Sequence, residues 1–160
     1  KAAGSLGLAL YALSGLGLSV AEYLLAVALL VLTTNLFNLL DLRPGRTGKA
    51  FVLLGAGITV ATLDVQPLWA LGLFAGPVVV LAFFDLRERT MLGDTGSNLI
   101  GALAGLWMVL AMGTLAQAIA LAVVIGITVY GEFRSISSLI ESAPLLRQLD
   151  SLGRPHHPHA

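Results

Sequence analysis

Apolar residues fall in six runs, at about residues 2–18, 21–40, 50–64, 68–84, 97–112 and 115–131, parted by a few polar positions each. A perpendicular membrane crossing needs roughly 20 apolar residues, and shorter runs cross by borrowing their flanks or by tilting within a bundle. After residue 131 the pattern changes. Residues 134–150 alternate apolar and charged positions around Pro144, which predicts a broken amphipathic helix lying in the membrane interface. The tail, Gly153-Arg154-Pro155-His156-His157-Pro158-His159, predicts a loop. The expected architecture is an all-α integral membrane protein with about six transmembrane helices and a cytoplasmic interfacial amphipathic helix. The transmembrane bundle takes residues 1–132, and the amphipathic segment with its His-rich tail takes 133–160.

Charge placement orients this bundle. Of the 160 residues, 57% are hydrophobic and 11% charged, against about a quarter charged in soluble domains. The connecting segments 19–22, 64–67 and 113–117 contain no Lys or Arg. Lys1, Arg43, Arg46, Lys49, Arg87, Arg89, Arg134, Arg147 and Arg154 all fall on the other side. By the positive-inside rule that side is cytoplasmic. The predicted location is the cell (inner) membrane, multi-pass, with both ends cytoplasmic. The formal net charge is zero and no basic stripe interleaves with aromatics, so nucleic acid is not an expected partner. Without cysteine there are no disulfides or thiolate metal sites. The run 2–18 is not read as a signal peptide. Gly72-x-x-x-Gly76 and Gly101-x-x-x-Gly105 predict close helix packing, and Pro77 predicts a kink.

Where the second run reaches the cytoplasm it becomes polar. Asn35, Asn38 and Asp41 recur every three residues and stay within an arc of about 120° on one helix face. Lone asparagines often join helices, and Asp41 could simply end the helix. Two amides and a carboxylate on one arc instead suggest a bundle interior or a water-filled cavity. A hard cation such as Mg²⁺ suits such oxygen donors, since it keeps waters and takes one or two carboxylates plus substrate phosphates.

A second constellation, Gly93-Asp94-Thr95-Gly96-Ser97, opens the fifth run. Ser97 is the expected N-cap, Gly93 and Gly96 would let backbone approach a ligand, and helix-start amides suit a phosphate. Asp94 beside phosphate would be repulsive unless a cation lay between them; the plainer alternative is an Asx turn. Arg43 and Arg46, close to Asp41, are candidates to fork onto phosphate oxygens. Positive-inside topology accounts for the other basic residues. Asp85 and Glu88 are read as interfacial partners of Arg87 and Arg89, and Glu22 and Asp64 as ordinary span ends. His156, His157 and His159 are poorly spaced for a metal but could donate hydrogen bonds to phosphate.

In their order, Asn-x-x-Asn-x-x-Asp at residues 35–41, Gly-Asp-x-Gly-Ser at 93–97 and the His-rich tail resemble the polyprenyl-phosphate N-acetylhexosamine-1-phosphate transferases. That family includes phospho-N-acetylmuramoyl-pentapeptide transferase. The resemblance covers about residues 30–160. It implies a Mg²⁺-dependent membrane enzyme that moves a sugar 1-phosphate from a UDP-sugar to undecaprenyl phosphate and releases UMP. Asp41 and Asp94 would be catalytic and would hold the metal. Asn35, Asn38, Arg43, Arg46, Gly93, Ser97 and the three histidines would bind substrate.

The match has two departures. Where the family usually reads Asp-Gly-x-Asp-Gly, this chain reads Asp41-Leu42-Arg43-Pro44-Gly45-Arg46. The family's upstream Asp-Asp pair has no counterpart before residue 35, so the chain is expected to be shortened or N-terminally incomplete relative to that family. The expected partners are a UDP-sugar, a polyprenyl phosphate lipid and a second copy in a homodimer. A catalytically silent scaffold or nucleotide-sugar-binding relative is the alternative. A transporter is disfavoured, because the polar groups gather at one membrane face rather than at the midplane.

Overall fold

The computed structural model describes residues 2–90 and 92–152, and the regular structure among them is entirely α-helical. The helices are α1 (Ala2–Leu13), α2 (Val20–Leu40), α3 (Arg46–Thr62), α4 (Gln66–Leu86), α5 (Gly93–Ala111), α6 (Thr114–Phe133), α7 (Ile136–Ser142) and α8 (Pro144–Ser151). By length and composition, α2 and α6 can each cross a membrane, and α4 could be a third crossing. Residues 153–160, with His156, His157 and His159, lie outside the described residues.

Local chemistry sets the helix ends. The first run breaks at Gly15 and Gly17, the latter at φ +65°, and α2 restarts on a capping box. Ser19 Oγ accepts the Glu22 N–H at 3.4 Å, and Glu22 Oε2 accepts the Ser19 N–H at 3.1 Å. Glu22 is therefore more than a span end. Its other oxygen accepts the Thr114 hydroxyl at 3.2 Å, tying the start of α6 to the start of α2. The helix α3 begins four residues before its apolar run, because Gly45 turns left-handed (φ +76°) and donates its N–H to Asp85 Oδ2 at 2.7 Å. The helix α5 likewise begins at Gly93, ahead of its apolar run. The two halves of α4, Gln66–Phe74 and Gly76–Leu86, meet at 67°. Pro77 explains the bend, since its ring clashes with the carbonyl four residues back and it has no N–H to donate.

The helix α2 is the hub. It packs most extensively on α5, then on α6 and α1, while α5 also carries α3 and α4. The α2–α5 contact is backbone against backbone. A Cβ on Gly101 would stand 2.8 Å from Thr34 Cα, and one on Gly105 would stand 2.8 Å from Leu30 Cα. The Gly101-x-x-x-Gly105 face thus packs as its spacing predicts. Gly72 and Gly76 do not, for a Cβ on either meets nothing within 4 Å. Higher in the interface Trp107 lies on Gly55 and meets Phe51 edge-on, with ring centroids 5.7 Å apart.

Substitution should separate the two glycine pairs. Gly101→Ala drives a methyl into immobile backbone and should cost roughly 1–3 kcal/mol, as overpacking does. Gly72→Ala should be neutral or slightly stabilising, since alanine is the better helix former. Thermal unfolding of the two variants in detergent, side by side with the parent chain, reads the difference.

Candidate functional site at the acidic end of the bundle

One end of the bundle gathers the C-termini of α2 and α4 and the N-termini of α3 and α5. Asp41 caps α2, half-buried, and accepts the Thr47 hydroxyl at 3.2 Å. Asp94 lies exposed in the first turn of α5. Asp85, at the end of α4, is 1% exposed. Burial pushes the Asp41 carboxyl pKa up from its ordinary value. The Thr47 hydrogen bond opposes that shift, and the neighbouring charges of Asp85 and Asp94 add to it. Asp41 therefore feels the charges of two carboxylates from two other helices at this end. Among the described residues, however, no three acidic or histidine side chains converge as a ready-made metal cage.

Beside the carboxylates lies a cleft of about 490 Å³ between α1, α2 and α5. Asn35, Asn38, Thr95 and Asn98 line it together with apolar residues that include Leu8 and Leu99. The predicted Asn35/Asn38 face is thus brought to a cavity, whereas Asp41 is set beside it. Asn38 Oδ1 also accepts the Ser97 hydroxyl at 3.3 Å. Ser97 is not an N-cap. It is buried inside α5 and donates back to the Gly93 carbonyl at 2.9 Å, a common bond for a serine within a helix. Gly93 is left-handed (φ +60°) and faces open space, so glycine serves the turn there rather than a tight approach.

The arginines are engaged elsewhere. Arg46, 5% exposed, forks onto Asp150 of α8, with Nε to Oδ1 at 2.9 Å and Nη2 to Oδ2 at 3.1 Å. Its Nη1 reaches Ser137 of α7 at 3.1 Å. Arg43 pairs with Glu141 of α7 at 2.6 Å. Lys49 Nζ donates to the Leu149, Asp150 and Leu152 carbonyls at 2.6–3.0 Å, closing the C-terminal end of α8. These three basic residues, spaced by three along the chain, pin the α7–α8 hairpin to the start of α3. Arg43 and Arg46 are therefore structural clamps here, and their role as phosphate forks is not supported by these contacts.

Asp85 also departs from expectation. It turns inward onto Gly45, while the Arg87 guanidinium lies 4.0 Å over the Phe83 ring. Sequence reasoning missed Asp85, Thr47, Thr95 and Asn98 as neighbours of the site. A signal for Asp85 was available, since it is the carboxylate that closes an otherwise apolar run. Asn98 follows Asp94 by one helical turn, a spacing that places both on one side of α5. Comparison with family models, with curated proteins and with solved structures returns no match for this chain.

Two measurements probe this end. Folding raises the Asp41 pKa, so the native state holds that proton more tightly than the unfolded chain. The associated stability is present in acid and is lost as pH rises through the carboxylate range. Asp41→Asn should raise the melting temperature at pH 8, with the gain shrinking toward about pH 4. A lower melting temperature at pH 8 would show the carboxylate holding the fold together. Asp150→Ala strands a buried guanidinium and should cost roughly 3 kcal/mol. Limited proteolysis should then cut first between α6 and α8.

Proposed function

We propose that the chain is a Mg²⁺-dependent phosphoglycosyl transferase of the membrane, moving a sugar 1-phosphate from a UDP-sugar to a polyprenyl phosphate with release of UMP. The observation that carries this reading is a juxtaposition. Carboxylates from separate helices, Asp41 and Asp94, lie within electrostatic reach beside a cleft that is apolar in its depth and amide-lined at its lip. The reaction requires both chemistries at one place. A lipid phosphate must leave its chain in an apolar environment while it meets a water-soluble diphosphate. Support also comes from the ordered motifs at residues 35–41 and 93–97.

The donor set fits the proposed ion. Two carboxylates without a closed cage match Mg²⁺, which keeps waters and takes phosphate oxygens. Asp41 and Asp94 would hold it, and when bound it would offset the repulsion between the two phosphates and the charge developing on UMP. The chain's own groups do the rest. Asn35, Asn38 and Asn98 offer neutral hydrogen bonds to the polar part of the lipid, and Ser97 keeps Asn38 in register with α5. The acceptor phosphate oxygen attacks the phosphorus attached to the sugar, and the bridging bond to UMP breaks. The proposed setting is six spans with both ends cytoplasmic, in the inner membrane. In that setting α1–α6 would be the spans, with the Lys- and Arg-bearing segments on the cytoplasmic side.

The second reading is a binding relative without catalysis. It is favoured by the arginines, since Arg43 and Arg46 are committed to Glu141 and Asp150 instead of facing a phosphate. The two readings separate in a membrane assay of UMP exchange into a UDP-sugar. The transferase reading expects exchange that requires Mg²⁺ and falls at least 100-fold in Asp41→Asn and in Asp94→Asn, the order expected for loss of one electrostatic catalytic group. Full activity in either variant would sink it. Mg²⁺-dependent thermal stabilisation by UDP without exchange would support the binding relative instead.

A further inference from the structure

Three cations spaced by three, Arg43, Arg46 and Lys49, run from the end of α2 into the first turn of α3, and all of them come to Asp150 of α8. Arg46 forks onto its carboxylate at 2.9 and 3.1 Å, and Arg43 Nη1 stands 3.9 Å from Oδ2. Lys49 Nζ donates to its backbone carbonyl at 2.6 Å. The other Nη of Arg43 meets Glu141 of α7. Two guanidinium forks and an ammonium around one point are a donor set that suits phosphate oxygens. A carboxylate brings that set one charge and two oxygens. A phosphate dianion brings more of both.

The carboxylates are delivered by a part of the chain that has little else to hold it. Helix α7 has 7 residues and α8 has 8, too short to persist as helices on their own. No residue of α8 is buried. A cleft of about 220 Å³, bordered by Leu53, Ile127, Ile140 and Leu149, runs between the hairpin and the bundle. The apolar anchor is Ile136, buried beside Gly131 of α6. Arg134 and Ser135, both extended, link the hairpin to α6. A segment with so few buried contacts opens at low cost. The way in is at the surface, for the side chains of Arg43 and Glu141 are 43% and 51% exposed and such a pair holds weakly.

We propose that Arg43, Arg46 and Lys49 form a phosphate-binding site that the α7–α8 hairpin closes, with Asp150 and Glu141 standing in for the ligand. A phosphate dianion, free or as the terminal phosphomonoester of a lipid headgroup, replaces the two carboxylates, and the hairpin swings out about residues 134–135. The tethered carboxylates compete at high effective concentration, so the closed form is the resting one. The ligand favours the open form because only there do all three cations reach it. Phosphate held there lies next to the acidic end, since Gly45 and Thr47, the neighbours of Arg46, hold Asp85 and Asp41. The ligand class follows from the cations, so the site stands whether or not the chain transfers sugar phosphates.

Phosphate binding is read by equilibrium dialysis of the full chain in detergent against radiolabelled inorganic phosphate at pH 8, with sodium chloride holding ionic strength constant. Glu141→Gln removes the surface competitor and should tighten binding about threefold. Asp150→Asn removes the buried one and should tighten it about tenfold or more, with phosphate raising the melting temperature of this variant further than that of the parent chain. Arg43→Gln added to Glu141→Gln should cancel the gain. In the parent chain, saturating phosphate should speed proteolytic cutting between α6 and α8 severalfold. The source of the phosphate is read by placing phosphatidic acid in the micelles, with phosphatidylcholine as control. Faster cutting by phosphatidic acid at well below the effective concentration of free phosphate assigns the site to a lipid phosphomonoester, and faster cutting by free phosphate alone assigns it to a soluble one. Glu141→Gln alters only a half-exposed pair, so it keeps the test decisive if Asp150→Asn folds poorly. Equal acceleration by chloride at matched ionic strength, unchanged phosphate affinity in Glu141→Gln, or a gain that survives Arg43→Gln would each overturn the proposal.

Discussion

The close approach of α2 and α5 is the constraint on which the rest of the molecule depends. In a membrane there is little hydrophobic gain from bringing two apolar helices together, so association relies on packing and short contacts. Gly101 and Gly105 remove the side chains that would hold the backbones apart, and Thr34 and Leu30 fill the space. With the helices this close, Ser97 reaches Asn38, and the polar ends of both helices share one level. The cleft that holds Asn35, Asn38 and Asn98 is lined by α1, α2 and α5.

At that end the charges divide by sign and by task. The cations Arg43, Arg46 and Lys49 turn toward α7 and α8, where carboxylates and helix-end carbonyls satisfy them. Of the anions, Asp94 is exposed, Asp41 is half-buried and Asp85 is turned inward onto Gly45. Asp85 is steadied by the N–H that opens α3, a position where the helix dipole favours negative charge. Asp41 has one hydroxyl partner and is left in a partly desolvated, electronegative place. An ionised carboxylate in such surroundings is held there by the fold at some cost to stability. Shifted carboxylates of this kind recur at functional sites, and the proposed function places its cation there.

The two ends of α5 border different clefts of one scaffold. The acidic end offers charge beside an apolar cleft. The α3–α4–α5 cleft is lined almost wholly by apolar side chains, and α4 is bent where Pro77 interrupts it. Both clefts are walled by α5, through Asn98 at its start and Trp107 near its end.

The helical class, the six apolar runs, the tight Gly101/Gly105 face and the polar Asn35–Asn38–Asp41 arc were legible in the residues alone. Each follows from periodicity or steric size, which act between neighbours in the chain. The fates of the charged side chains were not legible. Arg46 and Asp150 are distant in sequence, and nothing local distinguishes a guanidinium that will find a buried carboxylate from one that will face a phosphate. Asp85 looked paired with nearby arginines, yet a left-handed glycine on another helix holds it. The equivalent spacing of Gly72 and Gly76 packs on nothing, because the bent α4 turns that face outward. Helix formation is a local event. Long, flexible charged side chains choose partners only after the helices have been placed, by whichever opposite charge or free backbone group then lies within reach.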